Sequence, residues 1–267
     1  MNSHYISFPG LNIDPFKIDP VAFNLFGRDI MWYGVIICFG IILAFIYGIF
    51  TTKKEGVKVD DFYDLVLFAI PSAIICARLY YVIFDPTPNY NSFLDVIALW
   101  RGGIAIYGAI IGGALATLGV AIFKKKPILK FFDIMAPCVM IGQIVGRWGN
   151  FVNAEAHGGS TSLPWRMGIA MSEAGEAIYV HPTFLYESLW NLAGFIILHF
   201  CVRNKKSFDG QITFFYLAWY GFGRMFIEPL RTDSLKLGAF DVSTLVAALC
   251  FVIFTVLYIT FLKKEKK

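Results

Sequence analysis

The chain has 267 residues, of which 57% are hydrophobic and only 16% charged, and its mean hydropathy is +0.63. So little polar surface cannot cover a soluble globule, which makes the lipid bilayer the solvent for most of the chain. The formal net charge of +4 comes from short Lys/Arg clusters between apolar runs, a pattern that describes membrane topology and sets nucleic-acid binding aside.

Residues 1–29 lack the basic start and apolar stretch of a cleavable signal peptide and carry Pro9, Pro15, Pro20, Asp14, Asp19 and Asp29 instead, so they read as a translocated tail. A helix needs about 20 mostly apolar residues to cross the hydrocarbon core. Seven segments approach that length: roughly 30–50, 62–84, 103–123, 131–151, 183–202, 211–228 and 240–262. Lys53, Lys54 and Lys58, then Lys124, Lys125, Lys126 and Lys130, then Arg203, Lys205 and Lys206, and finally Lys263, Lys264, Lys266 and Lys267 fall in alternate connections and at the C-terminus. The positive-inside rule places these fourteen of the 23 Lys/Arg in the cytoplasm. The expected architecture is an all-α integral membrane protein of seven transmembrane helices, with the N-terminus extracytoplasmic and the C-terminus cytoplasmic. It forms a single polytopic domain over residues 1–267.

Trp32, Trp100, Trp148, Trp165 and Trp219 fall near the ends assigned to the outer side, where an amphipathic ring suits the interface, and Trp190 is the exception. Asp64, Asp133 and Asp209 sit near cytoplasmic helix starts, where the macrodipole favours a carboxylate. Two outer connections are long, 85–102 and 152–182, and the second is expected to form a small extracytoplasmic head. Cys38, Cys76, Cys138, Cys201 and Cys250 all lie in apolar runs without CxxC spacing and read as packing residues.

The informative residues are polar groups inside the spans. An arginine near the middle of a spanning helix costs about 2.5–3.5 kcal/mol on insertion scales. Arg78, Arg147 and Arg224 each fall four to six residues from the outer end of a different span, about 6–9 Å below the boundary at the helical rise. Each alone could snorkel to the headgroups. Three at one depth, with Glu187, Glu228 and Asn150 at similar depth and Tyr33, Tyr107 and Tyr186 in the same half of the membrane, favour a shared polar cavity that holds an anionic headgroup through guanidinium forks. Tyr220, Arg224 and Glu228 are spaced i, i+4, i+8 on one helix face. Arg147 and Asn150 close another span, and Asn153, Glu155 and His157 follow in the emerging loop. Glu228 has a plain alternative as a structural partner of Arg224 or Arg231. The glycines 102, 103, 108, 112 and 113 are explained by close helix packing or by backbone approach to a ligand. A transporter is the main rival, but transporters tend to bind at the midplane between repeats, and no repeat is evident. HExxH and GxSxG are both absent, which argues against metal and serine hydrolase chemistry.

The run Gly146-Arg147-Trp148-Gly149-Asn150-Phe151-Val152-Asn153-Ala154-Glu155-Ala156-His157-Gly158 resembles the GRxGNFxNxExxG signature of the prolipoprotein diacylglyceryl transferases. Four further stretches agree in order: Trp32-Tyr33-Gly34, Arg101-Gly102-Gly103-Ile104-Ala105-Ile106-Tyr107-Gly108, His181-Pro182-Thr183-Phe184-Leu185-Tyr186-Glu187, and Tyr220-Gly221-Phe222-Gly223-Arg224-Met225-Phe226-Ile227-Glu228. The resemblance implies a bacterial cytoplasmic-membrane enzyme with its site toward the extracytoplasmic side. It would move the diacylglyceryl group of phosphatidylglycerol to the lipobox cysteine of a prolipoprotein signal peptide, forming a thioether and releasing glycerol phosphate, with no cofactor or metal. Arg147 and Arg224 would grip the phosphate, with Asn150, Tyr33, Gly158 and Tyr220 completing the headgroup site. Glu155 or His157 would accept the thiol proton. Glu187, Glu228, Asn153, Arg78 and Arg231 would orient the others. Where many relatives carry a histidine, this chain has Tyr107, and an unperturbed tyrosine, with a pKa of about 10, is a poor base at neutrality.

Overall fold

The computed structural model describes residues 3–85, 90, 92–99, 102–173, 175–232, 236–237 and 240–265. Trp100 and Arg101, and Lys266 and Lys267 of the C-terminal cluster, lie outside the described residues. Eight helices carry most of the chain: α1 (Trp32–Glu55), α2 (Val59–Phe84), the short α3 (Phe93–Ile97), α4 (Ile106–Phe123), α5 (Ile128–Val152), α6 (Thr183–Ile197), α7 (Gln211–Ile227) and α8 (Val242–Glu265). Among the described residues, six helices are long and apolar enough to cross a membrane: α1, α2, α4, α5, α8, and α6 with its continuation to Lys205. The remaining expected span, 211–228, is the helix α7, only 17 residues long. It is bounded by Gly210 at φ 96° and by the tight turn Glu228–Leu230, where Pro229 has no N–H to continue the ladder.

The chain divides into two compact units, one of residues 48–135 and one of residues 1–47 with 136–267. In the first, α2 and α4 pack because α4 presents glycines. A Cβ on Gly108 would overlap the Cys76 carbonyl, and one on Gly112 would overlap that of Ser72, so the backbones approach as small-residue membrane interfaces allow. Phe62, Leu65 and Ala121 are buried there, and Lys124 after α4 bridges Asp64 and Asp61, the latter at 3.4 Å. Helix α4 begins at Ile106 and not at residue 103 as expected, because Gly102 and Gly103 adopt φ of 79° and 78° and turn the chain before it. Ahead of them α3 is started by a capping box in which the Ser92 side chain accepts from Asp95 N–H and the Asp95 carboxylate accepts from Ser92 N–H.

In the second unit, the tail and the head, left without regular structure by hydropathy, form a sheet together. Strands β1 (His4–Phe8), β2 (Ile13–Ile18), β5 (Met167–Ala170) and β6 (Ile178–Val180) are all antiparallel in the order β2-β1-β5-β6. Tyr5 faces Ala170, and Met167 faces Val180. Ile6, Met167, Val180 and Phe184 bury a small core that ties this sheet to the start of α6. Strands β3 (Val21–Leu25) and β4 (Arg28–Met31) make a hairpin leading into α1. The short pair β7 (Lys236–Leu237) and β8 (Phe240–Asp241) leads into α8. Ala136, Met140, Leu198, Ile212 and Tyr216 pack α5, α6 and α7 together. Where α6 continues as a wider turn over Leu198–Val202, His199 Nδ1 meets the Tyr47 hydroxyl at 2.8 Å and Arg203 donates to the same hydroxyl at 2.9 Å.

Candidate active site

Five charged side chains converge where α5, α6 and α7 end or begin on one side of the second unit. Glu187 stands one turn into α6, 4% exposed. Its Oε2 pairs with Arg147 of α5 and its Oε1 with Arg224 of α7. Arg231, beyond α7, lies 3.5 Å from the same Oε1. Arg224 also pairs with Glu228, its i+4 neighbour. The plain alternative for Glu228, a partner for Arg224, is therefore realised, and it holds one edge of that guanidinium. Three cations and two carboxylates leave one positive charge in a site whose side chains are at most 21% exposed. A guanidinium has five N–H donors, so the forks keep donors for a further acceptor. Tyr220 lies a turn before Arg224 on α7.

The loop after α5 adds a second polar set. Arg147 donates to Asn150 Oδ1 at 3.2 Å, Asn150 Nδ2 donates to Glu155 Oε1 at 3.1 Å, and Asn153 Nδ2 donates to the same oxygen at 3.2 Å. Glu155 is thus linked to Arg147 through one amide. The loop bends sharply to do this. Ala154 and Ala156 take φ of 50° and 54°, the left-handed region that costs a residue with a Cβ about 1–2 kcal/mol. The conformation is held by Glu155 N–H to Asn150 O at 3.0 Å and by the Thr183 hydroxyl donating to Ala156 O at 2.8 Å. Gly158 N–H donates to His181 O at 2.9 Å. A Cβ at Gly158 would come within 2.6 Å of His181 Cβ and 2.9 Å of Leu230 O, so close backbone approach already requires a glycine here. His157 Nδ1 lies 3.0 Å from Gly158 O. A carbonyl oxygen can only accept, so this contact fits Nδ1 as the donor.

Tyr33 stands at the start of α1 with its ring where a Cβ on Gly149 would meet it at 2.7 Å. With Asp29, Ile30, Met31, Gly34 and Asn153 it lines an open groove of about 440 Å³. Of the residues singled out in the sequence, the structure joins Arg147, Arg224, Arg231, Glu187, Glu228, Asn150, Asn153 and Glu155 in one network of ion pairs and hydrogen bonds, with Tyr33 beside Gly149.

Arg78 and Tyr107 belong to the other unit. Arg78, 6% exposed, donates to the carbonyls of Val96 and Asp95 at 2.8 Å each, and to those of Gly102 and Gly103 at 2.6 and 2.8 Å. It also faces the rings of Tyr81 and Tyr90 at 5.8 Å. Its fork is spent on backbone, and the positive φ of both glycines aims two of those carbonyls. The Tyr90 hydroxyl donates to Asp85 at 2.6 Å, and that bond to a carboxylate pushes its pKa up to about 12. Tyr107 is 36% exposed, with its ring 6.2 Å from that of Tyr80.

Three features escaped the sequence reading. Trp219, expected at the interface, sits in the middle of α7 stacked on Trp190. The Trp148 indole, also expected there, donates to Ser188 Oγ at 3.2 Å. Tyr186 receives the Trp165 indole N–H at 2.7 Å, next to His181. The tryptophans were legible only as amphipathic rings, and their partners lie far away in sequence.

Apolar helices of spanning length and a buried network of arginines and carboxylates define a multi-pass helical membrane protein with a polar, arginine-rich site. A family model for prolipoprotein diacylglyceryl transferase matches residues 20–260. Bacterial relatives agree over nearly their full length. The chain is 41% identical over 247 residues to a protein of Finegoldia magna, covering 92% of this chain and 97% of the relative. It is 41% identical over 249 residues to one of Clostridioides difficile, covering 93% and 98%, and 42% identical over 258 residues to one of Limosilactobacillus reuteri, covering 93% and 92%. Each carries the name phosphatidylglycerol--prolipoprotein diacylglyceryl transferase. The chain belongs to the prolipoprotein diacylglyceryl transferase family.

Proposed function

We propose that the chain transfers the diacylglyceryl group of phosphatidylglycerol to the lipobox cysteine of prolipoprotein signal peptides, the first step of bacterial lipoprotein maturation. The observation that carries this reading is the Arg147–Glu187–Arg224 arrangement, two guanidiniums on one buried carboxylate in a chain of this family. The substrate thiolate attacks the lipid glycerol carbon that bears the phosphate. A C–S bond forms, the C–O bond breaks with its electron pair going to oxygen, and glycerol phosphate leaves. Arg147 and Arg224, with N–H donors not used by Glu187, Glu228 and Asn150, stabilise the charge that grows on the phosphate. Glu187 and Glu228 hold both forks, and with Arg231 the guanidiniums outnumber the two carboxylates that touch them. Asn150, Tyr33, Tyr220 and Gly158 orient the headgroup, and Asn153 steadies Glu155.

The thiol, with an unperturbed pKa of about 8.5, is only partly ionised at neutrality. Its proton goes to Glu155, held by two amides within one residue of Arg147 in the network, or to His157 Nε2. Tyr107 has no proton-abstracting role in this scheme, and Arg78 orients the segment around Gly102 and Gly103. No enzyme nucleophile, metal or cofactor enters. The whole chain acts as one polytopic domain of seven spans with α7 as the sixth, the N-terminal tail and the 152–182 head are extracytoplasmic, and the site opens to the outer leaflet.

Incubation of the purified protein with phosphatidylglycerol and a lipobox peptide tests the reaction class. A mass gain on the thiol peptide and none on its Cys→Ser counterpart is expected. Transport of lipid across liposomes without any mass gain would replace the proposal by a carrier.

A further inference from the structure

Helices α6 and α7 carry the same pattern, a tryptophan followed four residues later by a glycine: Trp190 and Gly194 on one, Trp219 and Gly223 on the other. The two patterns interlock. The indole rings stack with centroids 4.3 Å apart and planes 14° from parallel. Trp190 Nε1 donates to the backbone carbonyl of Trp219 at 3.0 Å, and Trp219 Nε1 donates to that of Trp190 at 2.9 Å. In an α-helix the same two carbonyls also accept from the N–H four residues on, which are those of Gly223 and Gly194. The missing side chains let each indole edge reach its carbonyl. A Cβ on Gly223 would overlap the Trp190 ring, and one on Gly194 would overlap the Trp219 ring.

Packing alone does not need this chemistry, since stacked aromatic rings without an N–H also pack. The two hydrogen bonds are tied to one rung of each helix, and in hydrocarbon no water replaces them once broken. Sliding α6 along α7 therefore breaks both together. Glu187 lies three residues before Trp190, and Arg224 directly follows Gly223. Trp190 thus sits within one turn of the ion pair that links the two helices, and Trp219 within about one and a half.

We propose that Trp190 and Trp219, seated on Gly223 and Gly194, form a register lock that positions Glu187 against Arg224. This rests on the reading of the arginine network as the site that stabilises the leaving phosphate. The tryptophans touch no substrate in this proposal and act as positioning residues.

The test uses the full-length protein in nanodiscs. Gly223→Ala is expected to lower kcat for transfer about a hundredfold, the cost of misplacing reacting groups by roughly 1 Å. It should have little further effect in a Trp190→Ala background, where the obstructing ring is gone. Gly194→Ala should be silent only in a Trp219→Ala background. Trp190→Phe keeps a ring, folds most readily and should lose about three- to tenfold in kcat, the worth of one hydrogen bond. That loss should vanish when Glu187→Gln is already present. Independently of turnover, the ¹⁵N guanidinium resonances of Arg224 in Gly223→Ala should move toward those seen in Glu187→Gln. Equal losses from Gly223→Ala with and without the Trp190 ring, or Arg224 resonances unmoved in Gly223→Ala, overturn the lock. A wild type that transfers nothing while the resonances move as expected leaves the lock standing and removes the catalytic reading.

Discussion

Arg147 and Arg224 are held by carboxylates, whereas Arg78 is held by four backbone carbonyls, and the contrast separates two uses of an intramembrane arginine. Around Arg78 the acceptors are neutral dipoles aimed inward by two left-handed glycines and by the end of α3. They stabilise a buried cation while fixing the loop that supplies them. Around Glu187 the acceptors are ionised, shared among three guanidiniums, and fewer than the charges they face. The first arrangement closes a piece of backbone. The second leaves positive charge and unspent N–H donors facing one another across three chain segments, which suits a phosphate.

Breaking the ionised set should cost the most. Arg147→Ala and Arg224→Lys are each expected to lower transfer by about a thousandfold or more, the loss of a preorganised charge-stabilising fork, read as glycerol phosphate release from labelled lipid. Normal turnover by Arg224→Lys would remove the argument for a two-pronged contact. Next comes Glu187→Gln, with an expected fall of about a hundredfold, because one neutral amide cannot hold three guanidiniums in place. If Glu187→Gln were faster than wild type, the carboxylate would be a competitor of the phosphate and not its support.

Breaking the backbone-held set should act on stability instead. Arg78→Lys is expected to lower unfolding stability by about 3 kcal/mol, since an ammonium cannot satisfy four divergent carbonyls, while kcat per folded molecule stays within a few-fold. Loss of turnover at full thermal stability would merge the two environments into one functional class. For Tyr107→Phe a loss of at most a few-fold is expected, and complete inactivity in the release assay would give its hydroxyl a role in proton transfer. The smallest effect concerns the strained loop. Ala156→Gly, at φ 54°, should raise the melting temperature slightly by relieving about 1 kcal/mol of left-handed strain, and a lower melting temperature would show that the added chain entropy outweighs it.

Much of the membrane part was legible because the bilayer imposes one rule, a run of apolar residues long enough to cross it, and that rule acts on local sequence. Six of the seven expected segments are helices of spanning length. One departure occurs where residues set backbone geometry: Gly102 and Gly103 delay α4, whereas Gly210 and Pro229 bound α7 within a residue of the expected 211–228. The sheet joining β1 to β5 was invisible, since its strands lie some 160 residues apart in sequence and their short burial patterns carry no membrane-scale signal.

Sequence alone determined that arginines and glutamates sit inside apolar helices, that Tyr220, Arg224 and Glu228 share a helix face, and that the loop after Arg147 carries its own amides and acid. Each of these follows from helical spacing and the cost of charge in hydrocarbon, and both are local. Only the tertiary structure decided which arginines share a carboxylate. Arg78, at the same expected depth as the others, turned to backbone oxygens, because partner choice depends on what other helices and loops bring within a few ångströms of the guanidinium.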